Sequence, residues 1–122
     1  MELTCYIVDD EYHCIASTTE LITTTGSFKI VGSATDPRKA IAEIKDLKPN
    51  VIFTDINMPY ISGIDLASQV DHVGLVVFIT ADMLYLYPQI DLKKSIFLNK
   101  PVSLNEFSEA IAQIKSRIAQ NR

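Results

Sequence analysis

The stretch Leu3-Thr4-Cys5-Tyr6-Ile7-Val8-Asp9-Asp10-Glu11 decides how the rest of the chain reads. An uncharged, apolar-leaning run ends abruptly in three acids. Such a run, without polar alternation, predicts a strand buried on both faces whose C-terminal end carries the acids. The pattern returns at Val51-Ile52-Phe53-Thr54-Asp55, at Leu75-Val76-Val77-Phe78-Ile79-Thr80 and at Ile96-Phe97-Leu98-Asn99-Lys100. Phe28 to Ser33 is a further strand candidate, but its end, Ser33-Ala34-Thr35, carries nothing chemical.

The intervening segments read as helices. Tyr12 to Thr25 has Ile15, Leu21 and Ile22 apolar, and Thr23-Thr24-Thr25-Gly26 marks its stop. Asp36-Pro37 is an N-cap and first-turn pair, followed by Ala40, Ile41, Ile44 and Leu47 at helical spacing. Pro49-Asn50 ends that helix. Met58 to Gly63 is a loop, and Ser62 with Asp65 starts a short helix through Val70. Ser103 and Glu106 form a capping box, after which Leu104, Phe107, Ile111, Ile114 and Ile118 line one face. Residues 82–94 are where the fourth helix is due, but Pro88 sits in the middle and would remove a backbone donor. There, Met83-Leu84-Tyr85-Leu86-Tyr87 has no polar face and calls for burial, on the neighbouring strands or in a dimer contact.

Five alternations of strand and helix imply a parallel sheet covered on both faces. With right-handed crossovers, the expected fold is α/β, a doubly wound five-stranded parallel sheet of the flavodoxin-like (βα)5 kind. The 122 residues fit one domain, and 48% hydrophobic with 21% charged residues excludes wholesale disorder. The net charge of −4 speaks against gripping nucleic acid directly. The longest strongly apolar run, Leu75 to Ile79, is far short of the ~20 residues that span a membrane. The start, Met1-Glu2-Leu3-Thr4, lacks a signal peptide's basic and apolar regions. Cys5 and Cys14 are too few for a disulfide scaffold or a complete zinc site. The expectation is a cytoplasmic domain. Cys5 reads as core filler and Cys14 as structural. His13 and His72 have no partner at a familiar metal-ligand spacing.

In an open parallel sheet, ligands bind beyond the carboxyl ends of the strands. Asp9, Asp10, Glu11, Asp55, Thr80 and Lys100 all fall there. Carboxylates brought together raise one another's pKa, and a hard cation relieves them. Mg²⁺ suits oxygen ligands with room for water, and Mn²⁺ would serve as well. Carboxylates, a divalent ion, a lysine and a hydroxyl together suit a phosphoryl group, and a carboxylate can itself be the nucleophile. The four glycines, at 26, 32, 63 and 74, are isolated, so no phosphate-cradling glycine loop for a nucleotide is present. Each residue alone has a plainer reading: a helix cap for Asp55, a turn for Thr80, a solvated lysine for Lys100. It is their joint placement that coincidence explains poorly.

The set Ile7-Val8-Asp9-Asp10-Glu11, Thr54-Asp55-Ile56-Asn57-Met58-Pro59 with Gly63, Ile79-Thr80-Ala81 and Leu98-Asn99-Lys100-Pro101 resembles the receiver domains of two-component response regulators. The resemblance runs through essentially the whole chain, in order. It implies that Asp55 is the phosphoacceptor and that Asp9, Asp10, Asp55 and the backbone carbonyl of Asn57 hold Mg²⁺. It implies that Lys100 pairs with the phosphate, that Thr80 is the switch hydroxyl and that Phe97 is the switch aromatic. The implied donor is a sensor histidine kinase. The implied output is the face of the fourth helix, fifth strand and fifth helix, which could also serve a homodimer. The 20-residue interval from Thr80 to Lys100 resembles receivers that precede LytTR-type DNA-binding domains. Residues 1–122 would then be one receiver domain, a self-phosphorylating and autodephosphorylating switch rather than a turnover enzyme, with any effector domain outside this chain. Pro88, Ile96 and the basic pair Lys93-Lys94 depart from the family pattern, all in the region that changes on phosphorylation.

Two alternatives bear on function. A phosphatase of the haloacid dehalogenase type also uses an aspartyl nucleophile, but it wants a second acid two residues later, where this chain has Asn57. A phosphorylation-independent interaction module would keep the same residues as a relic.

Overall fold

The computed structural model of the chain describes residues 2–120. The strands β1 (Thr4–Val8), β2 (Lys29–Ala34), β3 (Val51–Thr54), β4 (Leu75–Thr80) and β5 (Ile96–Asn99) form one parallel sheet. Their order is β2-β1-β3-β4-β5. The helices α1 (Tyr12–Thr25), α2 (Pro37–Leu47), α3 (Gly63–Val70) and α4 (Leu104–Gln120) cover it. This is the doubly wound sheet expected from the sequence.

Side chains on a strand alternate between faces, and here both faces are apolar. Cys5, Ile7, Val51, Phe53, Val77 and Ile79 join a core with Ile15 and Ile22 of α1 and Phe107 and Ile114 of α4. Their neighbours Tyr6, Val8, Ile52, Val76 and Phe78 join a second core with Ala40 and Ile44 of α2 and Leu66 and Val70 of α3. Burial on both sides is why the strands read as unbroken apolar runs. Phe53 centres the first core, its ring 5.9 Å from that of Phe28 and 5.8 Å from that of Phe107.

The helix starts follow their caps. The Arg38 N–H donates to Asp36 Oδ1 at 2.9 Å and the Asp65 N–H to Ser62 Oγ at 3.1 Å. Ser103 and Glu106 exchange reciprocal bonds of 3.0 and 3.1 Å. Gly26, at φ 59°, ends α1 in the left-handed region that glycine enters most cheaply.

The crossover from β4 to β5 departs from the (βα)5 pattern. In place of a fourth α-helix the chain makes one 3₁₀ turn, Leu84–Leu86, and then runs irregularly to β5. Pro88 blocks helical continuation, since it has no N–H and its ring collides with the preceding turn. Met83, Tyr85 and Leu86 are exposed, so they do not pack on β4 and β5. Tyr87 and Ile90 do turn inward, against the second core beside Phe97. Leu104 also differs from expectation: it is exposed at the first position of α4, whose buried residues are Phe107, Ala110 and Ile114. Among the described residues, no helix is long and apolar enough to cross a membrane.

Candidate functional site

Strand order reverses at β1 and β3: the chain leaves β1 for β2 on one side and later returns to β3 on the other. A crevice forms at such a point. Val8 pairs with Thr54 across the two strands, so the next residues, Asp9 and Asp55, leave the sheet side by side. Backbone bonds hold both, from Asp55 N–H to Val8 O (3.1 Å) and from Asp9 N–H to Ala34 O (3.2 Å). Carboxylate oxygens of Asp9, Asp10 and Asp55 all lie within 4.8 Å of one another. β5 is two strands from β3, roughly 10 Å at ordinary strand spacing. The long side chain of Lys100 spans that gap, with Nζ 2.8 Å from Asp9 Oδ2 and 3.0 Å from Asp55 Oδ2. Its own backbone N–H donates to Thr80 O at 2.8 Å.

Two further contacts fix the acids. The Ile56 N–H donates to Asp55 Oδ1 at 2.7 Å, and the Glu11 N–H to Asp9 Oδ1 at 3.0 Å. Gly63 makes the first arrangement possible. A Cβ there would lie 1.9 Å from the Asp55 carbonyl oxygen, so α3 can start this close under Asp55 only with glycine. The Gly63 N–H also donates to Ile56 O at 2.8 Å.

Three carboxylates against one ammonium leave a net of two negative charges if all are ionised. Burial pushes the Asp9 carboxyl up from its ordinary value, although Lys100 and the Glu11 N–H pull the other way. Burial alone would lower the Lys100 ammonium, but its bonds to Asp9 and Asp55 outweigh that and hold its pKa above the usual lysine value. Lys100 is thus a fixed cation, and the remaining negative charge suits a divalent one. The donors are hard oxygens, with Asp10 and Asp55 partly exposed, a set that fits Mg²⁺ or Mn²⁺.

The other expected residues lie around this pocket. Thr80 is buried, and its hydroxyl accepts from the Asp82 N–H at 3.3 Å. Phe97 is half-buried against the second core. The Asn57 side chain does not point to the three acids: it donates to Asp82, whose carboxylate also accepts from the Tyr87 hydroxyl. Asn99 Nδ2 donates to Asp82 O at 2.6 Å. Sequence reading passed over Asp82, and gave Tyr87 only a place in the apolar stretch that calls for burial or a dimer contact. The only available signal was an acid two residues past the strand-end Thr80. Nor did spacing suggest that His13 Nε2 would lie 3.1 Å from Glu11 Oε2, with Cys14 alongside.

Known proteins resemble this chain in sequence and fold. A family model described as the response regulator receiver domain matches residues 5–112. An uncharacterised response regulatory protein of Vibrio parahaemolyticus is 31% identical over 121 residues, which cover 98% of this chain and 50% of that protein. The transcriptional regulatory protein BtsR of Escherichia coli K12 is 28% identical over 111 residues, 89% of this chain and 46% of BtsR. The chain therefore spans about half the length of these curated relatives. The crystal structure of the response regulatory domain of mrkE from Klebsiella pneumoniae superimposes with a TM-score of 0.85 at 26% identity, covering 97% of this chain and 99% of that one. With this family match over most of its length, on a sheet whose strand ends gather the acids and the lysine, the chain belongs to the receiver domains of two-component response regulators.

Proposed function

We propose that Asp55 accepts a phosphoryl group from the phosphohistidine of a sensor histidine kinase, and that the domain is a switch rather than a turnover enzyme. The observation that carries this reading is Lys100 Nζ shared between Asp9 and Asp55 at the mouth of the three-carboxylate pocket. An Asp55 carboxylate oxygen forms the new O–P bond. The N–P bond breaks, and the imidazole nitrogen leaves with the electron pair. The Ile56 N–H holds Oδ1 and so orients the carboxylate for attack. Lys100 lies within reach of the incoming group and neutralises its oxygens. Asp9, Asp10 and Asp55, with the Asn57 backbone carbonyl, would hold Mg²⁺, which supplies positive charge to the transferring group.

The Thr80 hydroxyl leaves the Asp82 N–H and donates to a phosphoryl oxygen, and Phe97 turns further inward. These shifts alter the surface of the β4–β5 crossover, β5 and α4, where exposed Met83, Tyr85 and Leu86 are offered to a second copy of the domain. The relatives' doubled length supports an effector region elsewhere in a longer protein, which contacts DNA while this acidic domain does not. A histidine kinase as donor places the domain in the cytoplasm. Acetyl phosphate with Mg²⁺ is expected to give a single phospho-adduct by intact mass, absent in Asp55→Asn. An adduct at wild-type yield in that variant overturns the assignment.

A further inference from the structure

We propose that Glu11, His13 and Cys14 form a second metal site, for a borderline divalent ion such as Zn²⁺, on the rim of the acid pocket. One oxygen, one nitrogen and one sulfur from these residues lie within 4.8 Å of one another. His13 Nε2 and Glu11 Oε2 are 3.1 Å apart. Two tetrahedral ligands with bonds of about 2.0–2.1 Å sit roughly 3.3 Å from each other, so this pair already has the required spacing. The thiolate of Cys14 completes three ligands, with water left for the fourth position.

All three residues belong to the β1–α1 junction, whose backbone is fixed. The N–H groups of Cys14 and Ile15 both donate to Glu11 O. Glu11 occupies the N-cap of α1 but makes no side-chain cap bond, so its carboxylate is not engaged with the helix backbone. Glu11 and His13 alone would be an ordinary solvated pair. The sulfur is what changes the chemistry. Thiolate and imidazole favour Zn²⁺, Co²⁺ or Cu²⁺ over Mg²⁺, so this site and the all-oxygen pocket of Asp9, Asp10 and Asp55 would select different ions. The side chains of His13 and Glu11 are 76% and 58% exposed, so an ion enters without opening the fold. Burial and the nearby Asp9 charge push the Cys14 thiol up, while Lys100 pulls the other way, so a bound ion must displace the thiol proton. An ion bound there is attracted by Asp9 and repels the Lys100 ammonium, which loosens the grip of Lys100 on the pocket. The binding claim itself does not depend on Asp55 being the phosphoacceptor.

The test uses the whole reduced chain and Co²⁺ alone as the probe. A thiolate-to-cobalt absorption band is expected, displaced by equimolar Zn²⁺ and resistant to a large excess of Mg²⁺. Cys14→Ser should abolish the band, and His13→Ala should weaken Co²⁺ affinity at least ten-fold. Asp55→Asn should leave it in place. His13 is exposed, so its variant keeps the test valid even if Cys14→Ser folds poorly. No band in the wild type overturns the proposal, as does a band that survives His13→Ala at full affinity. Loss of the band in Asp55→Asn would put the ion in the acid pocket instead and overturn it equally.

Discussion

The crossovers that follow β3 and β4 both begin at the pocket, and they are built in opposite ways. After β3 the chain is packed. Gly63 presses against the Asp55 carbonyl, α3 buries Leu66 and Val70, and Arg38 lies 3.7 Å over the ring of Tyr60 to hold the loop. After β4 the chain is tied down mainly by polar contacts. Asp82 accepts from Asn57 and Tyr87, and Arg117 of α4 donates to the carbonyls of Ser95 and Leu92 at 3.0 and 2.9 Å. Only Tyr87 and Ile90 of that segment reach the second core. Buried apolar contacts are lost together or not at all, whereas single polar ties can be exchanged for water one by one at about 0.5–1.5 kcal/mol each. The first crossover is suited to hold an acid in place, and the second to rearrange.

The contrast can be attacked from its rigid side first. Lys100→Ala should have the largest effect, about 3 kcal/mol at neutral pH, because it leaves Asp9 buried without its partner. The sign of its pH dependence follows from Asp9. An acid whose folded pKa is raised adds stability at low pH and loses it as pH rises through that value. Removing Lys100 raises Asp9 further, so the deficit should shrink as pH falls, read by urea denaturation across the pH range. A deficit independent of pH would contradict this account. Next comes Gly63→Ala, expected to cost about 1–3 kcal/mol because backbone must move to admit the methyl group. The displaced Asp55 should also slow adduct formation with acetyl phosphate. Normal rates in a destabilised variant would show that the close approach matters only for packing.

The second crossover should respond more weakly. Tyr87→Phe removes one hydrogen bond to Asp82 and should cost about 1 kcal/mol. Amide exchange over residues 82–95 should quicken in that variant while β3 stays protected. Equal quickening in β3 would mean that the two regions are not separable. Smallest of all, Tyr85→Ser should change monomer stability by no more than about 0.5 kcal/mol, since Tyr85 is 77% exposed. It should instead weaken self-association of beryllofluoride-treated protein, measured by analytical ultracentrifugation. A large loss of monomer stability would show that the exposed stretch is part of the core after all.

The sequence by itself determined the sheet, the caps and the edge at which the acids and the lysine gather. Strands buried on both faces must be apolar throughout, and that pattern needs no knowledge of what packs against them. Asp36, Ser62 and Ser103 act through backbone groups two or three residues away, so their roles are local and readable. Asp9, Asp10, Asp55 and Lys100 were legible because parallel strands bring their carboxyl ends to one edge whatever the loops do. What the tertiary structure decided are contacts between side chains remote in sequence or free to rotate. Lys100 reaching Asp9 across 91 positions is one, and the Asn57–Asp82–Tyr87 cluster is another. Pro88 announced trouble for a helix, but it did not say that Tyr87 would turn inward while Tyr85 turned out. Likewise Glu11, His13 and Cys14 are neighbours in the chain, yet only the rotamers at the start of α1 bring their donor atoms together.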